Sequence, residues 1–205
     1  MLPDFSFEEV HWNNGLRVIA GADEVGRGAF AGPVVAAVVI FAPTTKMEVE
    51  INDSKKLTHN KRERASRWIK KHAQNYAIGE GSVEEINFLG IVPATHLAFL
   101  RAIENCSLKI DRFLVDAFYL PKIKKSLQTP IIKGDTKSLS IAAASIIAKV
   151  YRDDLMIRLS EKHGEYQWHQ NKGYGTLAHR NALQKLGPTV HHRNKFIRSI
   201  RLIRN

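Results

Sequence analysis

The 205-residue chain has one cysteine, Cys106, so it can form no internal disulfide and no cysteine-rich zinc site. That scarcity fits a reducing compartment, with Cys106 itself read as a small buried residue on a helix. Long apolar runs are missing too. The longest, residues 33–43, falls well short of the ~20 residues needed to span a bilayer and reads as a strand, so no membrane association is expected. The first five residues, Met1-Leu2-Pro3-Asp4-Phe5, carry neither the basic stretch nor the apolar core of an export signal, and a cytoplasmic location is expected. There is no Gly-x-Ser-x-Gly elbow, no His-Glu-x-x-His, no Walker A sequence, and no metal-ligand spacing among the nine histidines on a convincing helix. Repeats and low-complexity linkers are absent, and with no coiled coil or conspicuous apolar surface segment a monomer is expected.

Acid is the scarce charge. Against 31 Lys+Arg stand 20 Asp+Glu, a formal charge of +11, and 44% hydrophobic with 25% charged residues excludes intrinsic disorder. An excess of cations suits a polyanionic partner, because Lys and Arg that neutralise phosphates release condensed counterions. Two clusters stand out: Lys55, Lys56, Lys61, Arg62, Arg64, Arg67, Lys70 and Lys71, and an acid-free tail with Arg193, Lys195, Arg198, Arg201 and Arg204. A solvated helix surface would account for either cluster alone.

β-rich residues 16–22 and the β-branched run 34–41 flank a Gly-rich connection too short for a helical crossover, which predicts an antiparallel pair. Thr58 caps a predicted helix to about Ala73, a strand follows at 76–81, and Ser82 with Glu85 forms a capping-box pattern. Pro93 suits the first turn of a helix reaching about Asn105. Strands are predicted at 113–116 and 130–133, a long helix from Ser140 to about Glu161, and a short one at 177–186. The fold class expected is α/β, a mixed five-stranded sheet flanked by helices. Residues 1–163 would form the main body and residues 164–205 a basic, helical extension of the same domain.

Carboxylates at predicted strand ends carry the chemistry. Asp23-Glu24 closes the first strand, Asp116 closes the fourth, and Asp135 lies just past the fifth. Turn or cap formation would explain any one of them. Gathered at one sheet edge, they would repel one another and take up protons unless a cation sat between them. Mg²⁺ or Mn²⁺ prefers oxygen ligands, and a pair of such ions can orient water and neutralise a phosphodiester, which points to a two-metal nuclease. Gly26-Arg27-Gly28 follows the acids and lets backbone N–H groups approach a phosphate or a sugar hydroxyl. Asp53-Ser54-Lys55-Lys56-Leu57 sets two lysines beside a helix start, a possible phosphate site. In Asn171-Lys172-Gly173-Tyr174-Gly175-Thr176 a ring between glycines beside a lysine suits stacking on a sugar or base, though a packed turn reads equally well. His191-His192 is assigned to the basic tail, touching phosphate or solvated. Asp153 and Asp154 are read as helix-surface partners of Lys149 and Arg158.

Six ordered motifs resemble a known family, bacterial ribonuclease HII, the type 2 ribonuclease H. They are Gly21-Ala22-Asp23-Glu24-Val25-Gly26-Arg27-Gly28 with Ala31-Gly32-Pro33-Val34; Asn52-Asp53-Ser54-Lys55-Lys56-Leu57; Val115-Asp116-Ala117-Phe118; Lys133-Gly134-Asp135; residues 140–150 with Arg152-Asp153; and Lys172-Gly173-Tyr174-Gly175-Thr176, followed by His191-His192-Arg193. The resemblance runs from about Val18 to Phe196. It implies an RNase H-like fold and a metal-dependent endonuclease that cuts the RNA strand of RNA–DNA hybrids and nicks 5′ to single ribonucleotides in duplex DNA. Cleavage would leave 3′-hydroxyl and 5′-phosphate ends.

By position, the resemblance makes Asp23, Glu24, Asp116 and Asp135 the metal-binding catalytic acids. It gives Gly26-Arg27-Gly28 the sensing of the ribose 2′-hydroxyl and Tyr174 stacking on the neighbouring deoxyribose. Ser54, Lys55, Lys56, Lys172 and Arg193 complete the expected substrate contacts. Arg27, where the type 3 relative usually carries lysine, and the short stretch before Asp23 favour type 2. Asn171 departs from the histidine common before Lys-Gly-Tyr. A non-catalytic hybrid-binding protein and another nuclease on the same fold are the alternatives, separated by metal dependence and by a 2′-hydroxyl requirement.

Overall fold

A computed structural model describes residues 2–200. Helix α1 (Ser6–Asn13) precedes strands β1 (Ile19–Val25) and β2 (Val34–Ile40), helix α2 (His59–His72), strand β3 (Asn75–Gly81) and helices α3 (Val83–Leu89) and α4 (Ile91–Glu104). Strands β4 (Arg112–Asp116) and β5 (Gln128–Ile131) follow, then the long helix α5 (Leu139–Lys162) and the shorter α6 (Trp168–Asn171), α7 (Leu177–Leu186) and α8 (Asn194–Ile197). The five-stranded sheet has the order β3-β2-β1-β4-β5. β1 pairs antiparallel with β2 and β2 with β3, whereas β1 to β4 and β4 to β5 are parallel.

Residues of β2 are buried throughout because both faces of the sheet are covered. Val35, Ala37 and Val39 pack against α2 and α5, while Val34, Ala36, Val38 and Ile40 pack against α4. Gly21 lets α5 rest directly on β1: a Cβ there would lie 2.1 Å from the Ser140 carbonyl carbon. The Ser82 hydroxyl and the Glu85 carboxylate form the expected reciprocal cap of α3, and Thr58 caps α2. Residues after α5 form a small core of their own, in which Trp168, Tyr166 and Leu183 close over Ala31 and Met156.

Three expectations are corrected. β1 continues past Ala22, because its ladder with β2 runs on to Val25↔Val35, so Asp23 and Glu24 lie within the strand. β5 begins and ends two residues early, held by Phe113↔Gln128 through Asp116↔Ile131, which leaves Ile132 exposed. Cys106 lies beyond α4 in a turn, half-buried, with its Sγ donating to the Leu108 carbonyl at 3.5 Å.

Helix α1 has no counterpart in the sequence reading. Its Glu8 is fully buried and accepts from the Ser138 hydroxyl at 2.7 Å and the Ser140 amide at 2.9 Å, a cap for α5 supplied from a distant segment.

Candidate functional site

Alternation along β1 sends its two acids to opposite faces of the sheet. Asp23 shares the α5 side with Gly21. Glu24 shares the other side with Ala20 and Ala22, where the Arg27 guanidinium meets its Oε1 at 3.1 Å. Asp116 stands at the end of the parallel neighbour β4, one step past the last β1–β4 pair, Ala22↔Val115. Directly after it, Ala117 turns the chain with φ 64°, a left-handed conformation that costs a non-glycine residue about 1–2 kcal/mol. Asp135 sits in a 3₁₀ turn, Gly134–Thr136, and the Gly134 amide donates to Asp116 Oδ1 at 2.7 Å, tying the two acid-bearing segments together.

Electrostatics show how tightly the four are gathered. Asp23 is 7% exposed, and burial with repulsion from Glu24 and Asp116 pushes its carboxyl well above the usual carboxylate range. Glu24 is raised by burial and by Asp116, with Arg27 opposing, and Asp135 by burial, Asp116 and Asp53, with Lys55 and Lys56 opposing. Asp116 thus repels all three others. Among the described residues, no three His, Cys, Asp or Glu side chains already close into a metal cage. The donor set is all carboxylate oxygen, its charges are only partly offset by Arg27, Lys55 and Lys56, and a hard divalent cation is the group that such a set accommodates.

Helix α5 supplies a support that sequence reasoning missed. The Ser145 hydroxyl donates to the Asp23 carboxylate, and the Ser54 hydroxyl stands 2.9 Å from Ser145 Oγ. Ser54 is buried in this chain of bonds and faces no solvent, which corrects its assignment to substrate. A serine inside the otherwise apolar run 141–148 is the signal that was available.

The remaining candidates divide. Arg27 and Gly28 are exposed beside Glu24, and a Cβ on Gly28 would meet nothing within 4 Å, so the loop is open to a ligand. Lys55 and Lys56 are exposed near Asp135 in a turn pinned by Asp53, ahead of α2. Tyr174 is half-buried, with Arg152 Cζ 5.4 Å and Lys149 Nζ 5.8 Å from its ring centroid. Lys172 folds back on the His169 carbonyl. Asn171 bonds the Tyr166 carbonyl and the Gly173 amide at 2.7 and 2.8 Å, which shapes the turn before Tyr174.

Arg193 is wholly buried and cannot touch a substrate phosphate, a second correction. His192 is buried too, against the tail assignment. Its Nδ1 accepts from the Thr189 amide at 2.8 Å, which leaves Nε2–H to donate to His179 Nε2 at 3.0 Å, and burial pushes it down to about 4. Asp153 pairs with Lys149 at 2.7 Å as expected, but it is buried and does not lie on the helix surface. Arg201 and Arg204 lie outside the described residues.

Comparison with known proteins settles the family. The ribonuclease HII family model matches residues 20–199. The chain belongs to the ribonuclease HII family. It is 48% identical over 194 residues to ribonuclease HII of Wolbachia pipientis subsp. Culex pipiens, covering 95% of each chain. Ribonuclease HII of Clostridioides difficile is 48% identical over 195 residues, 95% of this chain and 75% of that one. Among solved structures, the PCNA:RNase HII complex from Archaeoglobus fulgidus superposes with a TM-score of 0.72 at 26% identity, over 92% of this chain and 97% of that one. The protein is accordingly an RNase H endonuclease with the mixed α/β sheet of its relatives. No helix among the described residues is long and apolar enough to cross a membrane.

Proposed function

We propose that Asp23, Glu24, Asp116 and Asp135 are the catalytic acids of this ribonuclease HII and hold divalent cations, Mg²⁺ or Mn²⁺. The reaction we assign is hydrolysis of the RNA strand of RNA–DNA hybrids and nicking 5′ to single ribonucleotides in duplex DNA. One observation carries the reading: four carboxylates, three of them with raised carboxyl groups, crowd one edge of the sheet in a chain of formal charge +11. Bound cations would supply water activation and neutralisation of the leaving oxygen.

The protein's own groups do the rest. Ser145 orients Asp23, and the Gly134 amide orients Asp116. Arg27 and the open loop at Gly28 face the ribose, whose 2′-hydroxyl is the one group that separates RNA from DNA at a site. Tyr174 offers a ring to the adjacent sugar, and Lys55 and Lys56 take backbone phosphate. Replacing Asp116, the acid that repels all the others, tests the assignment: Asp116→Asn is expected to lose metal-dependent cleavage, and full activity in this variant would refute it.

A further inference from the structure

Two arginines, one from α5 and one from the segment before α8, reach the loop after β1, and neither meets an acid. Arg152, on α5, is wholly buried and donates from Nε to the Pro33 carbonyl, from Nη2 to Ala31 and from Nη1 to Lys172, each at 2.9 Å. Arg193 is also wholly buried, donating from Nε to the Gly32 carbonyl at 2.8 Å and from Nη1 to Gly26 at 2.7 Å and Arg27 at 3.0 Å. Among the described residues neither forms an ion pair, and the nearest acid in sequence, Asp153, is occupied by Lys149. Burying a cation costs several kcal/mol unless its donors are met. Here six backbone carbonyls meet every nitrogen except Arg193 Nη2, which has no partner among the described residues.

That arrangement dictates where the loop's amides point. In a trans peptide the C=O of one residue and the N–H of the next are antiparallel, and the described chain has no cis bond. Carbonyls of Gly26 and Arg27 turned inward onto Arg193 therefore turn the amides of Arg27 and Gly28 outward. Neither amide has an acceptor among the described residues. Gly26 fits this arrangement with φ 89°, and a Cβ there would lie 2.1 Å from Arg152 Nε.

The same guanidiniums link the loop to the acids and to Tyr174. Arg152 lies under the Tyr174 ring and bonds Lys172, while the Gly173 carbonyl accepts from the Phe30 amide at 2.8 Å. Seven residues before Arg152, two helical turns along the same face of α5, Ser145 holds Asp23. One helix face thus sets the spacing between a catalytic acid, the outward amides and the stacking ring.

We propose that Arg152 and Arg193 are positioning residues for ribonucleotide recognition, holding the amides of Arg27 and Gly28 and the ring of Tyr174 at a fixed distance from Asp23. The proposal rests on the reading that residues 26–28 and Tyr174 face the ribose. Arg193→Lys tests it, since lysine keeps the charge but cannot reach Gly32, Gly26 and Arg27 at once. We expect kcat on duplex DNA containing one ribonucleotide to fall about 10- to 100-fold, with little change in KM, because misplacement by an ångström costs rates of that order. Mn²⁺ affinity, measured by calorimetry, should stay at the wild-type value.

Unchanged kcat in folded Arg193→Lys, beside a loss in Arg27→Ala, would overturn the positioning role and leave the loop reading intact. Parallel loss of Mn²⁺ affinity would overturn it as well, showing a general collapse. Equal losses of cleavage and of all-DNA duplex affinity in Arg27→Ala would refute the loop reading, and the proposal with it. If Arg193→Lys does not fold, the wild type decides. The ¹⁵N-resolved Nε–H signals of Arg152 and Arg193 should shift on adding ribonucleotide-containing duplex and stay in place with all-DNA duplex, and identical responses would contradict the proposal.

Discussion

Two groups of like charge, one of two buried arginines and one of four acids of which only Asp23 is buried, are treated in opposite ways. Arg152 and Arg193 are held by six backbone carbonyls, with Arg193 Nη2 alone left without a partner among the described residues. Asp23, Glu24, Asp116 and Asp135 are left to repel one another, with only Arg27 and two exposed lysines nearby. A satisfied buried charge fixes geometry, whereas an unsatisfied one waits for a ligand. On the proposed reading, the difference separates the parts of the site that position from the parts that react.

Removing an acid should have the largest effect. Asp116→Asn is expected to lower metal-dependent cleavage by about 10³-fold or more, several kcal/mol of transition-state stabilisation. Stability should move the other way. A carboxyl whose folded value is raised contributes its stability below the unfolded value and loses it as pH rises, so ionisation of Asp23, Glu24 and Asp135 works against the fold. In chelator, Asp116→Asn should therefore melt no lower than wild type, and Mn²⁺ should raise the melting temperature of the wild type only.

Arg27→Ala comes next. Its guanidinium is 43% exposed and partners Glu24, so it stands between the two regions. We expect a loss of about 10- to 100-fold on substrates with an RNA–DNA junction, of the order set by misplacing a reacting group. All-DNA duplex affinity should change far less, as binding titrations beside cleavage rates would show. Equal losses would count against the loop as a reader of the ribose.

A smaller effect should follow acidification. His192 is pushed down to about 4, below the ordinary 6.5, so its contribution is complete above 6.5 and is lost as pH falls toward 4. On the order of 2 kcal/mol is at stake. Trp168, whose Nε1 donates to His179 in the same network, should report it as a fluorescence change that His192→Gln abolishes. The smallest effect belongs to the exposed lysines. Lys55→Ala with Lys56→Ala should weaken binding evenly across sequences and lower the salt slope by about 1 for each phosphate that is no longer neutralised.

Much of the fold was legible because the β-branched run of β2, the Ser82–Glu85 cap and the apolar face of α5 are local signals. The acids were legible as well, since carboxylates beside apolar strands stand out in a basic chain. Burial of polar residues was not. Arg193 and Ser54 read as solvent-facing because their partners, Gly26 and Ser145, lie 167 and 91 residues away, and His192 because the turn that brings it onto His179 has no local signal. Glu8 went unread for the same reason, since its cap on α5 spans 130 residues.

The most direct test is to incubate the protein with end-labelled duplex DNA carrying one ribonucleotide, beside an all-DNA control, in Mg²⁺, in Mn²⁺ and in chelator. A single nick 5′ to the ribonucleotide, present with metal and absent from the control and from chelator, is the predicted result. Cleavage that persists in chelator, or duplex binding with no cut in either metal, would contradict the assignment of the four carboxylates.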